Sequence, residues 1–369
     1  MFRFFETLVV ALLGGALCSS ISIPLPWMLG PVATIVVWSS ILKRKVFWPV
    51  KIRNSGLIIL GFMMGTSFNV FSIGQILYQL PSMISATGAS LIFSIIIGYI
   101  MHRLAGISLT DSIIGGMPGG LSQMAVFCEE IPGADITVVT FMQTIRLLST
   151  VFIVPFIVIH GLAGNPNSTF IPQTTAYVGY VHFYPYWLPL LLLSTVLFSA
   201  WVAVRIHLPT PYLMGPLLGT TFLVLTGVPN IKPPYFFSVL SQLCIGTYIG
   251  TNIKITNMKD WKKLFPFFFL GSITLIIFSF GIGIMLNHVY HLTLIDAFLC
   301  TAPGGMAEMC LTALVVNGNV SLVSVYQLFR VIFILLVMPP LLKRGILLFS
   351  IDSDSKYALY PKDQRHEEL

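Results

Sequence analysis

The sequence predicts an all-α polytopic membrane protein built from two repeats of one membrane unit. Of the 369 residues, 56% are hydrophobic and only 9% are charged, whereas roughly a quarter of the residues in a soluble domain are charged. Apolar stretches near the ~20 residues that cross a bilayer recur along the chain. The second half also repeats, in the same order, the short motifs of the first half.

The apolar segments form two sets of six. In the first half they lie at about residues 4–23, 27–42, 55–71, 81–101, 109–128 and 136–160. In the second half they lie at about residues 185–205, 212–227, 238–255, 264–287, 293–316 and 320–341. We expect residues 1–160 to form the first membrane repeat, 161–184 an extracytoplasmic linker, 185–349 the second repeat and 350–369 a cytoplasmic tail. The first segment lacks a small-x-small cleavage site and is expected to remain as a helix.

The two halves keep one register over four motifs, which indicates an internal duplication. Pro31 and Pro216 end matching Pro-x-Pro-containing tracts, a shift of 216 − 31 = 185 residues. The same shift relates Gly61-x-x-x-Gly65 to Gly246-x-x-x-Gly250, Asp111 to Asp296, and Pro118-Gly119-Gly120 to Pro303-Gly304-Gly305. Gln143-x-x-Arg146 then matches Gln327-x-x-Arg330 after the loss of one residue.

The basic residues indicate the orientation, because Lys and Arg are concentrated on the cytoplasmic side of membranes. Suppose that the amino terminus is cytoplasmic and that the fifth segment of each half enters and leaves on one side. Only Lys232 then lies outside, whereas twelve full crossings would place Arg205 and the four lysines of residues 254–263 outside. The charges therefore favour two inverted repeats in the cell membrane, each of five transmembrane helices plus one re-entrant hairpin, with both termini cytoplasmic.

Each hairpin is expected at a Gly/Pro tract, which is Pro118-Gly119-Gly120 in the first repeat and Pro303-Gly304-Gly305 in the second. Proline removes a backbone donor and glycine destabilises a helix, so each tract should break its helix near membrane depth. Non-helical backbone at that depth is tolerated where it lines a cavity, and broken helices form binding sites in transporters in this way. A kinked packing helix is the structural alternative.

The paired Gly-Pro tracts and the Pro-Gly-Gly-x-x-(Gln/Glu)-Met motifs resemble those of the membrane AbrB family, over nearly the whole chain. Members of that family are often labelled as an ammonia monooxygenase or as a regulator. The family shares its name, and not its fold, with the soluble AbrB DNA-binding regulators. The hairpin arrangement is also similar to that of sodium-coupled glutamate and 2-hydroxycarboxylate transporters. This second likeness implies an elevator-like mobile domain, but a shared fold does not assign a substrate.

Three charged side chains stand well inside predicted membrane segments, away from the segment ends. Glu308 lies where a charge costs at least ~2.5–3.5 kcal/mol, and its repeat partner is the neutral Gln123. It is either a protonatable or cation-coordinating group or a carboxylate satisfied by a neighbouring donor. Arg146 and Arg330 occupy matching positions. Each guanidinium either binds the carboxylate of an anionic substrate or locks a hairpin to its neighbour.

Other paired motifs predict structure rather than chemistry. Ser108-x-x-Asp111 and Thr293-x-x-Asp296 have the spacing of a capping box at a helix start. The paired glycines of residues 61–65 and 246–250 form small-xxx-small faces that allow close helix packing.

These features predict a secondary active transporter of a small solute, anionic if the arginines bind it, that works by alternating access. The expected substrate-binding residues are Pro118, Gly119, Gly120, Gln123, Arg146, Pro303, Gly304, Gly305, Glu308 and Arg330. Glu308 is also expected to couple a proton or a sodium ion to transport. A membrane-bound regulator or a channel is the alternative.

Enzyme chemistry is not predicted. The five cysteines and seven histidines form no metal-binding motif, and no nucleophile or phosphate-loop motif occurs. We therefore expect no cofactor and no metal, and we do not favour a membrane oxygenase. The expected partners are the lipid bilayer and a small-molecule solute, without nucleic acid, and the sequence leaves a homodimer open.

Overall fold

The computed structural model describes residues 2–21, 23, 25–40, 43–68, 74, 78–119, 124, 128, 134–162, 187–208, 210–227, 233–253 and 261–353. The first half forms α1 (Phe2–Ser20), α2 (Pro26–Ser40), α3 (Val50–Gly65), α4 (Leu80–Ala105), α5 (Leu109–Gly116) and α6 (Ile136–Phe156). The second half forms α7 (Trp187–Arg205), α8 (Pro211–Leu225), α9 (Tyr235–Asn252), α10 (Trp261–Tyr290), α11 (Leu294–Thr301), α12 (Met306–Val315) and α13 (Val320–Ser353).

The described part of the chain is helical and contains no strand, which confirms the all-α class. Among the described residues, six helices are long and apolar enough to cross a membrane: α1, α4, α6, α7, α10 and α13. Helices suit this role because they satisfy their own backbone hydrogen bonds in lipid. The chain therefore has the architecture of a multi-pass membrane protein.

The helix boundaries repeat at the spacing that the sequence motifs predict. Both ends of α1, α2 and α5 recur 185 residues later in α7, α8 and α11. Pro26 and Pro211 begin α2 and α8, where a proline loses no intrahelical hydrogen bond. The duplication is thus a duplication of local structure as well as of sequence.

Two helix ends differ from the predicted segments. α6 contains Pro155 and continues as a π-helix over Ile157–Leu162, since proline cannot donate the usual hydrogen bond and the next turn widens. α13 runs to Ser353, past the predicted end of the last apolar segment. Lys and Arg are good helix formers, so the basic residues after that segment do not stop the helix.

The helices pack as two bundles, and each bundle takes helices from both halves. The first bundle contains α1, α2, α3, α7, α8 and α9. The second bundle contains α4, α5, α6, α10, α11, α12 and α13. α3 of the first bundle lies against α12 and α13 of the second. Both Gly/Pro-broken segments therefore belong to the second bundle.

Paired glycines hold the first bundle together. A β-carbon at Gly61 of α3 would overlap the carbonyl oxygen of Leu213 in α8, and one at Gly246 of α9 would lie 2.5 Å from the carbonyl oxygen of Met28 in α2. Each glycine face thus packs against a helix of the other half. This confirms the predicted packing role of the small-xxx-small motifs.

Candidate functional site

Each repeat has a short helix that stops at its Gly/Pro tract. α5 ends at Gly116 and α11 ends at Thr301, immediately before the two tracts. The backbone nitrogen of Gly119 donates to the carbonyl oxygen of Met117 at 2.8 Å, and Gly304 donates to Ala302 at the same distance. The predicted breaks therefore occur at Pro118 and Pro303, each inside a tight turn. Gly120 and Gln123 lie outside the described residues.

Both short helices begin with the predicted cap. The Ser108 hydroxyl accepts from the backbone nitrogen of Asp111 at 3.0 Å, and the Thr293 hydroxyl accepts from that of Asp296 at 3.1 Å. The two caps satisfy one otherwise unpaired donor in the first turn of α5 and α11.

The aspartates of these caps have a second bond that the sequence did not predict. Asp111 Oδ1 accepts from the backbone nitrogen of Asp135 at 2.7 Å, and Asp296 Oδ1 accepts from that of Asn319 at 2.7 Å. Asp135 and Asn319 immediately precede α6 and α13. Each aspartate therefore joins the start of a broken segment to the start of the helix that follows it.

In both repeats, a Gln and an Arg side chain hold the backbone carbonyl oxygens at the break. Gln143 Nε2 donates to the carbonyl oxygens of Ile114 and Met117 at 3.1 and 3.0 Å. Arg146 Nη1 donates to Met117, and Nη2 donates to the carbonyl oxygen of Gly119 at 2.9 Å. Two side chains of α6 thus bind three backbone carbonyl groups at and just after the end of α5.

The second repeat has the same arrangement. Gln327 Nε2 donates to the carbonyl oxygens of Leu299 and Ala302 at 2.7 and 3.3 Å. Arg330 donates through Nη1 to Ala302 at 2.5 Å and through Nη2 to Gly304 at 2.6 Å. Sequence reasoning used the glutamines only to align the repeats. Their identical spacing to the arginines was the signal that could have shown this role.

The arginines suit these positions electrostatically. The carboxyl end of a helix carries partial negative charge, which a cation stabilises. Arg146 and Arg330 are 6% and 4% exposed and place their guanidinium groups at the ends of α5 and α11. These bonds are the ones expected if each arginine locks a broken segment to the helix beside it. Nε of each arginine is buried and has no hydrogen-bond partner among the described residues.

A methionine covers the second residue of each tract. Met124 Cε occupies the space that a β-carbon at Gly119 would need, and Met309 Cε would lie 2.6 Å from a β-carbon at Gly304. Both methionines are fully buried. Glycine is therefore required here by close approach as well as by helix breaking. The methionine that ends each Pro-Gly-Gly-x-x-(Gln/Glu)-Met motif is the sequence signal of this contact.

Glu308 lies at the other side of the second break, in the first turn of α12. It is 6% exposed, and its carboxylate lies directly against Gly305. Oε2 has no hydrogen-bond partner among the described residues. The partial positive charge at the helix start favours a negative charge there, but among the described residues no donor of another side chain holds Oε2.

Each break lies beside the last long helix of the other repeat. A β-carbon at Gly304 would lie 3.0 Å from Thr150 Cγ2 of α6. In the same way, Ile334 of α13 shares a buried apolar cluster with Met117 and Met124. Arg146 and Arg330 are also close enough to interact electrostatically. The fold therefore brings together Pro118, Gly119, Arg146, Pro303, Gly304, Gly305, Glu308 and Arg330 within one bundle.

A small cavity adjoins Arg146, between α4, α5, α6 and α10. Its lining includes Gly115, Gly116, Met142, Arg146 and Ser272. The cavity has room for about one water molecule and is too small for a metabolite. Within the described residues, no three His, Cys, Asp or Glu side chains are grouped to hold a metal ion.

Comparison with known proteins places the chain in a family. The family model described as "Transition state regulatory protein AbrB" matches residues 5–345. The chain is 25% identical over 357 residues to "Uncharacterized protein YhjN" of Bacillus subtilis (strain 168), covering 90% of each chain. It is 23% identical over 331 residues to "Putative regulator AbrB" of Escherichia coli (strain K12), covering 87% of this chain and 90% of the relative. With its two matched sets of membrane helices, this chain belongs to the AbrB family.

Proposed function

We propose that this protein is a secondary active transporter of a small solute, in which the second bundle moves against the first by an elevator-like, alternating-access motion. The observation that carries the proposal is the placement of both broken segments in one bundle, each held by a matching Asp, Gln, Arg and Met set. Unwound backbone between half-helices forms the binding sites of many secondary transporters.

The contact between the bundles fits such a motion. Leu60 and Met64 of α3 share a buried apolar cluster with Met306 and Met309 of α12. Apolar contacts are non-directional, so a sliding bundle exchanges one set for another without leaving buried polar groups unpaired. Hinge and shear motions of packed helices provide the corresponding precedent.

We infer an inverted topology with a re-entrant hairpin in each repeat. Two independent observations support it. The Asp111 and Asp296 bonds hold both ends of each broken segment together, as they must if a segment enters and leaves on one face. The basic residues favour the same topology by the positive-inside rule. The two breaks would then approach each other from opposite sides.

The proposed solute site lies between the two breaks and involves residues 118–120, Gln123, residues 303–305 and Glu308. Arg146 and Arg330 contribute positive potential, which favours an anionic solute in a low-dielectric site. Their Nη atoms already hold backbone carbonyl groups. We therefore propose that the arginines attract an anionic solute through their electrostatic potential and not through a direct hydrogen bond. Glu308 couples solute movement to an ion.

Transport is tested with purified full-length protein. A panel of small carboxylic acids, amino acids and uncharged metabolites is screened for thermal stabilisation, since a ligand stabilises the state that it binds. For a counterflow assay, proteoliposomes are then loaded with an excess of each unlabelled hit, and the radiolabelled solute is added outside. A carrier accumulates label transiently against excess unlabelled solute, whereas a channel only equilibrates it. Absence of counterflow for every stabilising solute would overturn the proposal.

A membrane-bound regulator is the second candidate, and the name "Putative regulator AbrB" of the Escherichia coli relative favours it. A regulator that signals through its tail would lose its effect when residues 354–369 are removed, while Glu308→Gln would leave that effect unchanged. A transporter predicts that uptake survives the removal of residues 354–369, whereas Glu308→Gln abolishes or uncouples it.

A further inference from the structure

We propose that Arg146 and Arg330 are resident cations of the two breaks, and that the ion coupled at Glu308 is therefore a proton and not sodium. The inference rests on the proposed transport function and names its coupling ion.

The backbone carbonyl groups at each break are the groups that a transported metal cation would use. In transporters with broken helices, unwound carbonyls and the carboxyl ends of half-helices coordinate sodium. Here Arg330 takes the carbonyl oxygens of Ala302 and Gly304, and Gln327 takes that of Leu299. The corresponding groups of α5 are taken by Arg146 and Gln143. A sodium ion that used the carbonyl groups of Met117 and Gly119, or those of Ala302 and Gly304, would have to displace charged arginine bonds.

Charge opposes a second cation at the same place. Both guanidinium groups are buried, and they already repel each other. A sodium ion seated at either turn would add a further positive charge within a few ångströms in a medium of low dielectric constant. The arginines therefore supply permanently the positive charge that a coupling cation would supply transiently.

Glu308 differs from the two arginines, because one of its side-chain polar atoms that faces the break has no partner among the described residues. Its Oε2 is buried without a hydrogen-bond partner among the described residues, and burial of a carboxylate oxygen without a donor disfavours the charged form. A proton needs only this one oxygen, whereas sodium needs a shell. The elements packed against α12 are α3, α6, α11 and α13. The ionisable side chains described on α12 and these elements are Lys51, Arg53, Arg146, Asp296, Cys300, Cys310, Tyr326 and Arg330 besides Glu308.

Within the Pro-Gly-Gly-x-x-(Gln/Glu)-Met and Gln-x-x-Arg motifs, the two repeats differ in charge at this position. Gln123 stands where the second repeat has Glu308, and an amide cannot take up a proton at physiological pH. At this pair of positions only Glu308 can titrate, which corresponds to one coupled proton for each cycle.

The first test reads ionisation directly and needs no substrate. Infrared difference spectra between acidic and alkaline buffer are recorded on full-length protein in liposomes, for the wild type and for Glu308→Gln. We expect a protonated-carboxyl C=O band in the wild type that is absent from the variant. We also expect equal melting temperatures in sodium chloride and choline chloride of the same ionic strength.

A sodium-dependent rise in melting temperature that Glu308→Gln removes would overturn the proton assignment, as would the absence of a Glu308 band. These outcomes do not depend on uptake. If Glu308 titrates but no solute shows counterflow, the transport proposal fails while the protonation site stands.

The second test concerns the resident cation. Arg330→Ala should lose stability and recover part of it in dilute guanidinium chloride, because the free ion can fill the vacated position, but not in sodium chloride. Arg205→Ala, at an exposed position at the end of α7, is the matched control and should show no rescue. Rescue by sodium as strong as by guanidinium would contradict the assignment. If Arg330→Ala does not fold, Arg330→Lys should fold and be insensitive to both ions.

Discussion

Asp296 Oδ1 accepts a 2.7 Å hydrogen bond from the backbone nitrogen of Asn319, so the start of α11 is joined to the start of α13. The Asp111–Asp135 pair makes the same bond in the first repeat. A carboxylate thus closes the base of each broken segment. Since these bonds fix the position of the whole segment, they are the first contacts to test.

Asp296→Ala should lower the stability of the protein by about 1–3 kcal/mol, because the half-buried backbone N–H of Asn319 loses its acceptor. Asp111→Ala should have a similar effect. Thermal unfolding in detergent measures both. Asp135→Ala is the control, since the exposed Asp135 side chain only caps α6 through Thr137. Equal losses of stability in all three variants would mean that the bonds accepted by Asp111 and Asp296 contribute no more than the cap of α6.

Arg330→Lys separates locking from substrate contact. Lysine keeps the charge but loses the planar fork that reaches Ala302 and Gly304. We expect a stability loss of about 1.5–3 kcal/mol without ligand, with solute affinity unchanged in the folded fraction. Ligand titration on folded protein provides the measurement. Weaker binding at unchanged stability would instead assign Arg330 to direct contact with the solute.

Gly246→Ala should destabilise the first bundle by roughly 1–3 kcal/mol, because the added methyl group would lie 2.5 Å from the carbonyl oxygen of Met28. Gly88→Ala in α4 is the matched control. Nothing lies within 4 Å of a β-carbon there, so the exchange should stabilise the helix by roughly 0.5–1 kcal/mol. Melting temperatures that move in the same direction would argue against the packing role.

Glu308→Gln should remove the dependence of uptake on the proton gradient while leaving membrane expression near normal, since the two side chains have nearly the same shape. Uptake in proteoliposomes with and without an imposed pH gradient measures the coupling. Glu6→Gln is the control, because Glu6 lies in α1 and bonds to Trp38. Gradient-driven uptake that survives in Glu308→Gln would give Glu308 a structural role.

Single cysteines at Lys45, Lys262 and Lys343 should react with an impermeant maleimide only from the cytoplasmic side, and one at Asn167 only from outside. The charge distribution predicts this pattern. The five native cysteines are buried and give little background. Outward labelling at Lys262 would contradict the inverted topology.

The sequence by itself determined the class of the protein and its repeat. Low charge and recurring apolar stretches require helices in lipid, and the fixed 185-residue register predicted a duplicated membrane unit. Local chemistry also placed the two breaks, because a proline followed by two glycines disrupts a helix, whereas the single Pro155 is accommodated within α6. The capping serine and threonine acted through neighbours only three residues away.

Only the tertiary structure decided what the charged side chains contact. A guanidinium suits a solute carboxylate and a backbone carbonyl equally well, so the choice at Arg146 depended on which groups the fold placed within its reach. The partners of Asp296 and Met309 likewise lie on other segments of the chain. The grouping of helices into two bundles depended on close contacts between residues far apart in sequence, such as Gly246 and Met28, which no local pattern specifies.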